Sequence, residues 1–147
     1  MRVYFDICAI QRPLDDPSQT RVRLEAEAIL TLIELCESGR LDLVVSAAHE
    51  IENGQNPYPE RHAHAADVLA LARHRVPTGD DVARRAAAYA EAGLARLDAL
   101  HLAAAVAGGA AFFCTTDDHL LRRGRDLDTN ETAVVSPLDL ILQLDLP

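Results

Sequence analysis

Four acidic residues stand at the ends of predicted strands or in the first turns of predicted helices. Carboxylates held close together repel one another, which raises their pKa values and costs stability. Mg²⁺ or Mn²⁺ relieves that repulsion because hard cations prefer oxygen ligands, and such a metal can orient and activate water against a phosphodiester. The sequence therefore predicts a catalytic Mg²⁺ or Mn²⁺ site. Its predicted ligands are Asp6, Glu50, Asp98 and Asp117.

Two of these residues have an acidic neighbour that competes for the same role. Glu52 shares the segment E-I-E with Glu50, and residues at this spacing lie on different faces of a helix. We favour Glu50. Asp118 follows Asp117 directly, and we favour Asp117, which leaves Asp118 to cap a helix beginning near His119. Each acid alone is also compatible with an ordinary turn or cap, so the prediction depends on the set of four.

The elements that must position these acids alternate along the chain. Short apolar runs predict strands, and apolar residues at helical spacing predict helices. The order indicates a single α/β domain over residues 1–147, with a mostly parallel central sheet flanked by helices. In such a sheet the carboxyl ends of the strands form one edge, where ligands bind. Predicted strands cover 3–5, 41–46, 111–115 and 133–136, and predicted helices cover 21–38, 47–52, 62–73, 78–92, 96–107 and 138–144.

Composition narrows the possible functions. The 147 residues are 49% hydrophobic and 25% charged, as in an ordinary globular domain. The chain has no lysine, which excludes a P-loop and Schiff-base chemistry. A net charge of −9 disfavours nonspecific coating of DNA, whereas a nuclease that binds metal first remains possible because the metal inverts the local charge.

The sequence also bears on location. No uninterrupted apolar run is long enough to span a membrane, and acidic Asp6 argues against a signal peptide. Cys8, Cys36 and Cys114 lack metal-ligand or redox-motif spacing. We interpret them as buried thiols of a protein from a reducing compartment, and we expect a cytoplasmic location.

Histidines, aromatic residues and arginines are further candidates for a functional role. His62 and His64 lie at a spacing that places them on different helix faces, which disfavours a zinc site, whereas His101 shares a face with Asp98 and is interpreted as packing or orienting. Three Phe and three Tyr offer little for base stacking. Arginines near the acids suit substrate phosphates, although a solvated surface explains them equally well. They are Arg12, Arg96, Arg122, Arg123 and Arg125.

Four segments together resemble the PIN domain family, over nearly the whole chain. They are VYFDICAIQRPLDD, EIE, LDALHLAAA and CTTDDHLL. The resemblance implies a metal-dependent ribonuclease that leaves 5′-phosphate products, and the family includes the toxins of VapBC-type toxin–antitoxin pairs. It assigns the metal to Asp6, Glu50, Asp98 and Asp117, with Thr115 supporting the site through a hydrogen bond. Ile7 departs from the pattern, because many members have Thr or Ser there.

The resemblance also implies partners, namely an RNA substrate, an antitoxin protein and a second copy of the chain. We expect a homodimer because the helices present more apolar surface than one core can bury. Examples are Val68, Leu69, Ala72 and Leu94. Two alternatives stay open. One is a PIN-fold RNA-binding or scaffold module without turnover. The other is a metal-dependent phosphohydrolase acting on small phosphates. That activity needs a glycine-rich loop around the phosphate, and Gly108-Gly109 is too short to form one.

Overall fold

Five parallel strands form the central sheet in the computed structural model, which describes residues 1–146. They are β1 (Arg2–Phe5), β2 (Asp42–Ser46), β3 (His74–Val76), β4 (Phe112–Cys114) and β5 (Ala133–Val135). Their spatial order is β3-β2-β1-β4-β5, and every pairing among the described residues is parallel. The chain builds outward from β1 to one side and then crosses to the other. The predicted α/β fold with a parallel sheet is confirmed, and the boundary between β1 and β4 is its topological switch point.

Helices cover both faces of the sheet. They are α1 (Ile7–Gln11), α2 (Thr20–Glu37), α3 (Ala47–Gly54), α4 (Pro59–Leu69), α5 (Asp80–Glu91), α6 (Arg96–Ala107), α7 (Asp118–Arg125) and α8 (Pro137–Gln143), and a single 3₁₀ turn covers Arg12–Leu14. Within residues 1–146, none of these helices is long and apolar enough to cross a bilayer.

Each face of the sheet carries its own apolar core. Val3 and Phe5 point from β1 into the core formed with α2, α4 and α8, whereas Tyr4 points into the core formed with α5, α6 and α7. This alternation follows from the two-residue period of a strand. Because both faces are covered, all three side chains are fully buried.

Two elements differ from the prediction. Residues 74–76 form the edge strand β3, although they were predicted only to link two helices. This strand has three residues, one of them the exposed Arg75, so it lacks the apolar run that identifies an internal strand. Residues 7–11 form α1 instead of a loop, because the Asp6 side chain caps the helix by accepting a hydrogen bond from Ile7 N at 2.9 Å.

The turn between α6 and β4 depends on glycine. A Cβ at Gly108 would lie 2.6 Å from Val76 Cγ2 and 2.8 Å from Val44 Cγ1, so no larger residue fits there. Gly109 has a φ of +68°, which few other residues adopt at low cost. This tight turn returns the chain from α6 to β4 and thereby sets Asp98 and Asp117 over the same edge of the sheet.

The apolar helix residues proposed for a dimer interface are mostly not exposed. Val68 and Leu94 are each 4% exposed and belong to the two cores, and Leu69 and Ala72 are partly buried against one core. The structure therefore removes the reason for which this face was expected to bind a second copy.

Candidate metal centre at the switch point

Asp6 lies at the switch point itself, directly after β1. Its backbone N–H donates to Cys114 O at 2.9 Å, which continues the pairing of β1 with β4. The side chain is 3% exposed. Its Oδ2 accepts hydrogen bonds from Thr115 Oγ1 at 2.9 Å and from Cys8 Sγ at 3.2 Å. Burial raises the pKa of Asp6, and the neighbouring Glu52 raises it further.

Glu52 approaches Asp6 from α3. Oxygen and nitrogen ligand atoms of Asp6, Glu52 and His101 all lie within 4.8 Å of one another. His101 Nε2 lies 2.9 Å from Glu52 Oε1. Since an ionised carboxylate only accepts hydrogen bonds, the imidazole nitrogen donates in this contact. Two carboxylates and an imidazole therefore meet at one point, although they come from three separate elements.

A buried chain of hydrogen bonds holds His101 in place. Its Nδ1 lies 2.6 Å from Tyr4 Oη, and that hydroxyl lies 2.8 Å from Ser46 Oγ. In a neutral ring that donates through Nε2, Nδ1 is the acceptor, so the Tyr4 hydroxyl donates to it and accepts from Ser46. Ser46 Oγ in turn accepts from Ala48 N at 3.2 Å, at the start of α3. These hydrogen bonds thus fix both the tautomer and the orientation of the His101 ring that holds Glu52.

His49 packs beside this chain and stays neutral. Its ring stacks on Tyr4 with 4.4 Å between centroids. Nδ1 accepts from Ser46 N at 3.1 Å, and Nε2 donates to Phe5 O at 2.7 Å. Burial lowers the pKa of His49 to about 3. His49 is therefore a rigid support for the site and carries no charge near neutral pH.

Asp98 and Asp117 complete the acidic group. Burial, together with the negative charges of Asp6, Asp117 and Glu52, raises the pKa of Asp98 to about 6. This mutual effect is the repulsion expected of carboxylates that share a small volume. Within residues 1–146, no arginine forms a salt bridge with any of the four. Four carboxylates are therefore gathered here without an arginine to balance their charge.

Asp117, and not Asp118, caps α7. Its Oδ1 accepts from Leu120 N at 3.0 Å, and its own N–H donates to Thr115 Oγ1 at 3.1 Å. Asp118 is the first residue of the helix and forms a two-pronged ion pair with Arg21, at 2.8 and 3.0 Å. The expectation that Asp118 caps the helix was wrong. Thr115 links Asp6 to Asp117, since its hydroxyl donates to one and accepts from the other.

The structure does not bring Glu50 to this group, and Glu52 stands in its place. Glu50 lies on the outer face of α3, where both of its oxygens accept from the guanidinium of Arg75 on β3. That contact lowers the pKa of Glu50. Ala48 and Glu52 are four residues apart on one helix face, and Ala48 is fully buried, so Glu52 points inward. The burial of Ala48 is a property of the assembled fold, so the sequence alone did not separate Glu52 from Glu50.

The remaining candidates lie away from the four carboxylates or pair elsewhere. His62 is exposed, whereas His64 Nε2 forms a hydrogen bond with Ile10 O at 2.9 Å, so the two side chains do not act together as ligands. Arg125 pairs with Asp139 at 3.0 Å, and Arg96 lines a different groove. Arg12 does lie in a groove next to Glu52.

The family model described as the PIN domain matches residues 14–126, which is more than half of the chain. The chain belongs to the PIN domain family. No curated protein sequence matches it significantly. The resemblance carried by the four quoted segments is thereby confirmed.

Solved structures share the fold of this PIN domain. One is a chain of the crystal structure of VapBC2 from Rickettsia felis bound to a DNA fragment from their promoter, at 10% identity and a TM-score of 0.58. The match covers 92% of this chain and 98% of that one. Another is PAE2754 from Pyrobaculum aerophilum, at 20% identity and a TM-score of 0.52, with 98% and 89% covered. At these identities the likeness concerns the fold.

The donor set of this PIN domain suits a divalent cation. Carboxylate oxygens are the ligands that Mg²⁺ and Mn²⁺ prefer, and a bound cation would relieve the repulsion that helps to raise the pKa values of Asp6 and Asp98. Asp6 and Glu52 are held by hydrogen bonds from Thr115 and His101, as ligand carboxylates usually are. The residues present therefore fit a hard divalent metal ion.

Proposed function

We propose that this PIN domain is a metal-dependent endoribonuclease whose Mg²⁺ or Mn²⁺ is held by Asp6, Glu52, Asp98 and Asp117. The observation that carries the proposal is the gathering of four carboxylates at the switch point without an arginine partner. Elsewhere in residues 1–146 arginine does pair with acids, including Glu50, Asp118 and Glu25. A bound cation supplies the missing positive charge.

The chain's own groups define how hydrolysis proceeds. The bound metal would polarise the scissile phosphate and activate water. Thr115 and His101 hold the carboxylates of Asp6 and Glu52 in fixed orientations, so that little reorganisation is needed during the reaction. Cys8 is not a nucleophile, because burial and the charge of Asp6 raise the pKa of its thiol and the thiol donates to Asp6. Water is therefore the attacking group, and 5′-phosphate products are expected.

A cleavage assay on mixed RNAs tests the proposal. Cleavage is expected with Mg²⁺ or Mn²⁺ and is lost in EDTA. Asp6→Asn removes a ligand charge but keeps the shape, so it is expected to lower the rate by orders of magnitude. Glu50→Gln is the matched control and is expected to retain the wild-type rate. Metal-dependent RNA binding without cleavage would instead support a PIN module without turnover.

We further propose that the chain acts as a toxin restrained by a partner antitoxin. The fold likeness to VapBC2 supports this role. A small DNA-binding protein encoded next to this chain is the expected partner, and co-expression with it should abolish RNA cleavage. The homodimer stays a prediction, and light scattering that gives the monomer mass of about 16 kDa would contradict it.

A further inference from the structure

A groove of about 560 Å³ opens beside Glu52, one of the four carboxylates. Its lining runs from Thr116 and Glu52, at the candidate metal centre, to Asn56, Tyr58 and Arg61. The volume lies in the range of sites that take small organic ligands. A ligand in this groove would therefore lie next to the groups that hold the metal.

Tyr58 gives the groove an exposed aromatic face. Its ring is 64% exposed. All six Phe and Tyr residues lie within the described residues 1–146, and Tyr58 is the most exposed of them. Aromatic faces of this kind stack on unpaired bases. The low aromatic content predicted weak base stacking, but the fold places the Tyr58 ring in the same groove as Glu52.

Polar groups with free hydrogen-bonding capacity flank the ring. Asn56 Oδ1 accepts from Tyr58 N at 3.0 Å, which fixes the amide, and the amide NH₂ makes no hydrogen bond within residues 1–146. Arg61 binds Asp15 at 2.9 Å and Leu14 O at 3.1 Å through the single nitrogen Nη2. Its other guanidinium nitrogens make no hydrogen bond to the described part of the chain. The groove thus offers an amide donor and an anchored cation.

We propose that this groove holds one unpaired nucleotide of a single-stranded RNA, adjacent to the bond that is cut. The base stacks on Tyr58, the Asn56 NH₂ donates to an acceptor on the base edge, and Arg61 contacts a phosphate oxygen. Stacking on Tyr58 requires a base free of its partner strand, so single strands bind here in preference to duplexes. The inference rests on the proposed ribonuclease function and adds to it Tyr58 as the residue that contacts the base.

Binding measured without metal separates this groove from catalysis. Fluorescence anisotropy of short labelled single-stranded RNAs is recorded in EDTA for wild type, Tyr58→Leu and Tyr58→Phe. Tyr58→Leu removes the ring and is expected to weaken RNA binding about tenfold. Tyr58→Phe keeps the ring and is expected to change the affinity by less than about twofold. Leu142→Ala, at a side chain that is 80% exposed elsewhere, is the surface control and leaves binding unchanged. Binding of duplex RNA is expected to be the same in all four proteins.

A second variant tests the role of the amide. Asn56→Asp keeps the oxygen that accepts from Tyr58 N but removes the NH₂ donor. It is expected to alter the order of preference among the four homopolymer strands, with circular dichroism showing an unchanged fold. Equal binding of single strands by wild type and Tyr58→Leu would overturn the groove proposal even if RNA is cleaved. If binding depends on Tyr58 but the protein does not cleave RNA, the ribonuclease proposal is contradicted and the nucleotide-binding role of the groove is retained.

Discussion

His101 Nε2 lies 2.9 Å from Glu52 Oε1, which joins two helices through residues that are 49 positions apart in the chain. The ring is completely buried, and its other nitrogen is held by Tyr4. This contact decides which of two neighbouring glutamates can serve the candidate metal centre.

Glu52→Gln is expected to weaken metal binding, and Glu50→Gln is not. Wild-type melting temperature should rise with added Mn²⁺, because a ligand that binds only the folded state stabilises it. The rise should shrink in Glu52→Gln, which loses a ligand charge. It should persist in Glu50→Gln, which loses only an exposed pair with Arg75. Thermal melts of the three proteins over a Mn²⁺ titration measure the difference, and a reversed order would restore Glu50 as the ligand.

Tyr4→Phe is expected to cost about 1–3 kcal/mol of unfolding free energy, because it leaves buried partners on His101 and Ser46 unsatisfied. Urea denaturation measures this loss. If the hydroxyl positions His101, the same variant should also show weaker Mn²⁺ binding. A stability loss with unchanged Mn²⁺ affinity would reduce Tyr4 to a structural role.

Asp98 is expected to contribute stability to the metal-free protein that is lost as the pH rises from about 4 to 6. The pKa of Asp98 is about 6 in the folded chain against an ordinary 3.8, so the folded state binds more protons than the unfolded state in this window. The stabilisation is complete below the lower value and is lost as the pH rises through the higher one. Urea denaturation in EDTA should show the unfolding free energy of wild type falling relative to that of Asp98→Asn across this range, a comparison in which the opposite contribution of His49 cancels. Mn²⁺ affinity should rise over the same interval, since protons compete for the carboxylate.

Asp117→Asn should lower RNA cleavage by orders of magnitude with little change in melting temperature, because Asn still caps α7 while the ligand charge is lost. Asp118→Asn should keep most of the cleavage activity, since Asp118 is exposed and paired with Arg21. RNA cleavage rates and melts of both variants distinguish the two. Loss of cleavage only in Asp118→Asn would show that the assigned ligand is off by one residue.

The sequence by itself determined the parallel α/β class and most of the acidic group. Strands such as 111–115 are runs of apolar residues, and helices such as Asp80–Glu91 have a local apolar period, so each can be identified from neighbouring residues alone. Asp6 and Asp117 follow strands directly, and parallel strands bring their carboxyl ends to one edge. The proximity of Asp6 and Asp117 therefore follows from the local sequence pattern together with the sheet topology.

Tertiary structure decided which glutamate joins that group. Local pattern placed Glu50 and Glu52 on different faces of α3 but could not say which face turns inward. β3 pairs with β2 in the register Val45 to Arg75, which carries the Arg75 guanidinium to the outer face of α3 and to Glu50. On the inner face, α6 supplies His101 to Glu52. Both partners come from distant segments, and β3 is too short and too polar to be recognised before the sheet forms, so the choice exists only in the assembled fold.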